Sequence, residues 1–230
     1  MATVTHGIAT AATTNGTSYA SGAFTPAAND LLFVFVVASD TTDAATTLTG
    51  TGGSTFTRSR TTAFRTGTDR IVSFVSDKGV TATSQTVTFG CAGDAATGAV
   101  IFVIRVAGIG LYGTAALRQT SDVNNAAAGG TPAASFSAAC LTDNVTLGCI
   151  GNSTNPATVT PPTSWTEDAA GDTGYATPTT GGEYVYRNSG FTGTTMTWGS
   201  TSASAFGVSI VEINASRLVS PRVYPHLLAH

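Results

Sequence analysis

Asn29-Asp30-Leu31-Leu32-Phe33-Val34-Phe35-Val36-Val37-Ala38 is a polar pair followed by an unbroken apolar run, and Thr142-Asp143-Asn144-Val145-Thr146-Leu147-Gly148-Cys149-Ile150 opens in the same way. Short β-branched and aromatic runs bounded by Asn, Asp and Thr are the signature of buried strands rather than helices. The run Leu31 to Ala38 is also much too short to cross a bilayer as a helix, so no membrane association is expected.

Reading outward from these two stretches reveals a repeat. Gly53-Ser54-Thr55-Phe56-Thr57 corresponds to Pro162-Thr163-Ser164-Trp165-Thr166, each with one aromatic among β-formers. Arg70 to Val75 matches Glu183 to Arg187, and Thr86-Val87-Thr88-Phe89-Gly90 matches Thr195-Met196-Thr197-Trp198-Gly199 almost residue for residue. Each half closes with a strand, Ala99 to Val106 and Phe206 to Ile213. No stretch sustains a helical apolar stripe, and a fixed order of matching segments defines a duplicated architecture.

The expected fold is therefore all-β, an antiparallel β-sandwich made of two similar halves. Residues 1–214 form one sandwich domain with an internal duplication, 17–107 and 129–214. Residues 108–130, rich in Ala, Gly and Asn, read as a crossover or linker. Either half alone would enclose a thin core, so interleaving of the halves into one larger sandwich is the expectation. Residues 215–230 differ in composition. Pro221 and Pro225 forbid a regular helix there, so the segment reads as an extended arm.

Charged residues make up only 10% of the chain, against about a quarter in an average soluble protein. A surface with so few like charges has little electrostatic repulsion to oppose association, which suits a surface destined to be covered. The net charge is −3 and Lys78 is the only lysine, so direct nucleic-acid binding is not expected. The stretch Met1 to Gly16 has neither a basic region nor an unbroken apolar core, and synthesis in a cytoplasm is the expectation. Cys91, Cys140 and Cys149 form no C-x-x-C pair and read as small apolar residues.

Acid–base chemistry usually needs a histidine or a tuned carboxylate pair. His6, His226 and His230 lie near the ends of the sequence, where a general base is rarely held rigidly. No G-x-S-x-G, P-loop or H-E-x-x-H motif occurs. Glu167, Asp168, Asp172 and Glu183 are the acids that a glycosidase-like pair would draw on, although acids beside glycines are ordinary turn residues. Asp40 and Asp43, with Asp168 and Asp172, lack the dense oxygen spacing of a calcium loop. Trp165, Tyr175, Tyr184, Tyr186 and Trp198 could form a sugar platform, though strand periodicity favours the core for both tryptophans. No catalytic residue, metal or cofactor is expected.

The segments Pro161 to Glu167, Gly174 to Gly181, Tyr184 to Arg187 and Thr195 to Gly199 resemble β-sandwich virion proteins of tailed bacteriophages, namely head decoration (cement) or tail-associated proteins with jelly-roll-like domains. The likeness spans roughly Ser18 to Ile213. It implies a non-enzymatic protein that binds the major capsid protein, acts as a homo-oligomer (trimer or dimer) and resides on the capsid surface of the virion. The second expectation, of another class, is a host-recognition module of the tail that binds carbohydrate through the loops around Trp165 and Tyr175. The arm supplies the candidate contact residues, Arg217, Leu218, Val219, Arg222, Val223, Tyr224, Leu227 and Leu228, since its alternating apolar side chains would be poorly solvated if left free.

Overall fold

A computed structural model describes residues 1–39, 46–91, 95–125, 130–153, 159–176, 179–199 and 205–215, with the backbone alone at 125, 168–176 and 179. These residues are all-β, and every pairing between the strands is antiparallel. The first half contains β1 (Thr3–Ala12), β2 (Ser18–Ala20), β3 (Leu31–Ala38), β4 (Thr47–Gly50), β5 (Phe56–Phe64), β6 (Asp69–Ser76), β7 (Val87–Gly90) and β8 (Ala99–Ala107). The second contains β9 (Leu117–Asn125), β10 (Ala133–Ser135), β11 (Val145–Asn152), β12 (Thr166–Ala176), β13 (Thr179–Arg187), β14 (Thr195–Thr197) and β15 (Phe206–Ile213).

The two halves share one topology. The first forms a large sheet in the order β1-β8-β3-β6-β5 and a small one in the order β2-β7-β4. The second forms a large sheet in the order β12-β13-β11-β15-β9 and a small sheet of β10 and β14. Pairing within each half is nested: β1 with β8, β2 with β7 and β3 with β6, then β9 with β15, β10 with β14 and β11 with β13. A chain folded back on itself in this way and wrapped across two sheets has the jelly-roll arrangement.

The large sheets lie face to face, with β1 over β12 and β5 over β9, and the small sheets cap the two outer faces. The layers therefore run small, large, large, small. This order explains the apolar run of β3. Leu31, Phe33, Phe35 and Val37 point into the interior between the large sheets, while Leu32, Val34, Val36 and Ala38 point towards the small sheet. A strand buried on both faces has no need of polar alternation, so β3 is apolar throughout. Strand β8 divides in the same way, with Phe102, Ile104 and Val106 on one side and Ile101 and Val103 on the other.

Two expectations differ from this arrangement. Each described sheet is built from one half, so the halves share an interior without interleaving their strands; the nested pairing satisfies each half's backbone internally. The segment expected to be a crossover or linker contains β9, the edge strand beside β15, and β1 precedes the start assigned to the first repeat. Both are edge strands. Leu117-Arg118-Gln119-Thr120-Ser121-Asp122-Val123 is only half-buried and carries polar side chains, so it lacks the apolar run by which the central strands are recognised.

The second small sheet lacks a described counterpart of β4, and the sequence gives a reason. The Gly199 N–H donates to the Thr160 carbonyl at 2.8 Å, which puts Pro161 and Pro162 where Leu48 and Thr49 pair with β7 in the first half. Proline has no N–H to offer a ladder.

Register shifts mark all four edges of the large sheets: in β1 between His6 and Ile8, in β5 between Arg58 and Arg60, in β12 between Glu167 and Asp172, and in β9 around Arg118. The pairings β3 with β6 and β8, and β11 with β13 and β15, run without a shift. Bulged edges bend away from the flat geometry on which another chain could add.

Candidate functional site

The side chains that could furnish a sugar cleft are largely consumed by packing. Glu183 on β13 is fully buried, and its Oε1 accepts the indole N–H of Trp198 at 2.8 Å. Trp198 is itself fully buried, occupying in the second half the place of Phe89 in the first. Tyr184 lies in the interior between the large sheets, tilted against Phe102 at 5.3 Å, with Tyr186 packed beside it. The aromatic face of β13 is thus internal. Trp165 stays half-buried and meets Phe191 edge to face at 5.2 Å. The side chains of Asp168, Asp172 and Tyr175 lie outside the described residues, as do Asp40 and Asp43.

His6 is held where it was expected to be loose. Strand β1 fixes it at the large-sheet edge, its ring stacks on Tyr184 at 5.9 Å, and its Nδ1 lies 2.5 Å from the Tyr184 hydroxyl. It ties the two halves together. On the opposite edge Arg60 reaches from β5 to Asp122 on β9 at 3.1 Å and donates to the Thr120 carbonyl at 3.2 Å.

At one end of the large sheets each half carries a polar fixture at an equivalent position. In the first, Arg105 faces Leu32 across β8 and β3 and donates to Asp30 at 2.9 Å, while the Ala27 N–H donates to the same carboxylate at 2.9 Å. In the second, Glu212 faces Thr146 across β15 and β11, and Asn144 stands where Asp30 stands. Glu212 is fully buried and accepts from the Leu141 N–H at 2.8 Å, Asn144 Nδ2 at 2.7 Å, Gln119 Nε2 at 2.6 Å, and Arg118. Burial pushes its carboxyl upward, but these four donors outweigh that and hold it below the ordinary value of 4.5. Nearby Cys140 is pushed up to about 12, first by burial and then by the Glu212 charge.

The signal for this site was present in the sequence. A glutamate inside the apolar run Val208 to Ile213 has to find donors, because an unpaired buried charge is prohibitively costly. Its partners Arg118 and Gln119 sit in the segment expected to be a crossover or linker.

All the contact residues assigned to the arm, Arg217, Leu218, Val219, Arg222, Val223, Tyr224, Leu227 and Leu228, lie outside the described residues. The root of that segment is described. The Asn214 N–H donates to the Ala116 carbonyl at 2.8 Å and the Ala215 N–H to Asn144 Oδ1 at 2.9 Å.

The outward faces of the small sheets complete the picture. Tyr19, Leu48 and Phe89 point inward, leaving Ser18, Ala20, Thr47, Thr49, Thr88 and Gly90 outward. On the other side Ala134 and Met196 point inward, leaving Ala133, Ser135, Thr195 and Thr197 outward. Among the described residues, none of these outward strand positions carries a charge. Among the described residues no three His, Cys, Asp or Glu side chains come together as a metal site. No family model, curated protein or solved structure matches the chain.

Proposed function

We propose that the protein is a non-enzymatic structural component of a virion, a decoration protein that is made in the host cytoplasm and binds the outer surface of the capsid. It holds neighbouring major capsid subunits together as a dimer or trimer and needs no cofactor. The observation that carries this reading is that, among the described residues, the outward strand positions of sheets β2-β7-β4 and β10-β14 are uncharged and are Ser, Thr, Ala or Gly. Such a face can be covered by a partner without stripping water from any ion, the costliest part of burying a protein surface. Jelly-roll wrapping is found in capsid and lectin domains alike, so the fold supports the reading without deciding it.

The test is binding to shells assembled from the major capsid protein of the same virus. Wild-type protein is expected to co-sediment with the shells. Thr49→Glu with Thr88→Glu, which puts two charges on one outward face, should weaken binding at least tenfold while leaving the folded spectrum intact. Shells that fail to retain the wild-type protein would refute the reading. A second reading, a carbohydrate-binding tail module, is favoured by the half-buried Trp165–Phe191 pair, since a ring open on one side can stack on a sugar. A glycan array without hits counts against it.

A further inference from the structure

We infer that Glu212, acting through Asn144, clamps the backbone just beyond β15, at Ala215. An asparagine amide can present either its oxygen or its nitrogen to a given neighbour, and its surroundings decide which. Ionised Glu212 can only accept. It draws Asn144 Nδ2 to its Oε1 at 2.7 Å and so turns Oδ1 towards the Ala215 N–H, which donates to it at 2.9 Å. Glu212 is in turn immobilised by Leu141, Arg118 and Gln119, whose donors come from other parts of the half. Asn214 is fixed alongside through its N–H to Ala116 and its Nδ2 to the Ala115 carbonyl at 3.4 Å.

Comparison between the halves isolates this arrangement. At the equivalent place in the first half Asp30 accepts from Arg105 and from the Ala27 N–H, and the chain runs on from β8 towards Gly108. A carboxylate at position 144 would face Glu212 as a like charge. An amide satisfies both neighbours, donating to the acid and accepting from the backbone. Asparagine and glutamate thus replace the aspartate and arginine of the first half in the half whose last strand precedes Ala215. Glu212 is a positioning residue in this scheme: it orients Asn144, and Asn144 holds the Ala215 N–H.

Amide hydrogen exchange on the full chain tests the clamp without any capsid. In Asn144→Ala the Ala215 amide should lose protection about tenfold, the factor a hydrogen bond of ordinary net worth supplies. Core amides such as Val103 and Ile210 should keep theirs. In Asn144→Asp an acceptor remains but faces Glu212 as a like charge, so Ala215 should again lose protection selectively. Glu212→Gln should do the same with Asn144 in place. Unchanged Ala215 protection in Asn144→Ala, or full protection in Asn144→Asp, would overturn the clamp, as would a loss that merely tracks the core amides. Failure of the wild-type protein to bind shells would refute the decoration reading and leave these exchange results standing.

Discussion

Val37 packs against Gly151, the residue that occupies its own place in the other half. Counting from Leu31 and Val145, which face Val106 and Ile213, the two positions coincide. A methyl added at Gly151 would lie 3.1 Å from Val37 Cγ1 and 2.7 Å from the Phe64 ring. Gly151 is flanked across the sheet by Gly182 and Gly207, whereas Val37 is flanked by Ile71 and Val100. One large sheet thus presents a row of branched side chains and the other a row of bare glycines. Phe64, Val37 and Phe102 fill the trough that the glycines leave.

Gly151→Ala should therefore destabilise the protein by about 1–3 kcal/mol, the usual cost of overpacking a filled core. Combining it with Phe64→Leu should cost less than the sum of the two single changes, since the smaller side chain vacates the space the methyl needs. Denaturant unfolding of both single variants and the double variant measures the coupling. Simple additivity would mean that the sheets separate instead of competing for one volume.

Acid should weaken the fold partly through Glu212. Its carboxyl is held below its ordinary value of 4.5 in the folded chain, so unfolding takes up a proton as the pH falls through that range. The stability it contributes is complete above about 4.5 and is lost as the pH falls towards the lower folded value. Thermal midpoints from pH 6 to pH 3 should drop more steeply for wild type than for Glu212→Gln. Parallel curves would contradict the assignment.

The ion pairs Arg60–Asp122 and Arg105–Asp30 should differ in worth. Arg60 and Asp122 have side chains 42% and 27% exposed, so Asp122→Asn should cost no more than about 1 kcal/mol. Asp30 is 3% exposed at its side chain, and Arg105→Met would leave that carboxylate buried with the Ala27 N–H as its remaining described donor, costing about 2–3 kcal/mol. Urea unfolding of the two variants side by side gives the comparison.

Cys91, Cys140 and Cys149 are buried thiols outside any disulfide, and a thiol pushed up to about 12, as at Cys140, holds almost no thiolate at neutral pH. A disulfide-exchange reagent at pH 7.5 should find essentially no reactive thiol in the native protein and all three after denaturation. Rapid native reaction would place at least one of them at the surface.

The central strands could be read from sequence because burial on both faces leaves an uninterrupted apolar record, as in Leu31–Ala38. Edge strands leave a weaker one, which is why the segment containing Leu117–Asn125 reads as a crossover or linker. Glu212 stands out within its apolar strand, but its donors do not, for a related reason: Arg118 and Asn144 come from strands and loops that only the folded topology brings together. Glycine alone is a poor strand former, so Gly151, Gly182 and Gly207 announce no strand by themselves. Their purpose emerges only when each half is laid against the other and the side chains opposite them are known.

The shifted registers at β1, β5, β9 and β12 bear on how this chain behaves at high concentration. A net charge of −3 spread over 230 residues provides feeble colloidal protection. Here the bulged margins of the large sheets disfavour edge-to-edge pairing of copies, a protection that backbone geometry supplies in place of charge. Concentrated samples should accordingly stay monodisperse with respect to β-fibril growth even in high salt, where a protein defended by charge alone would not.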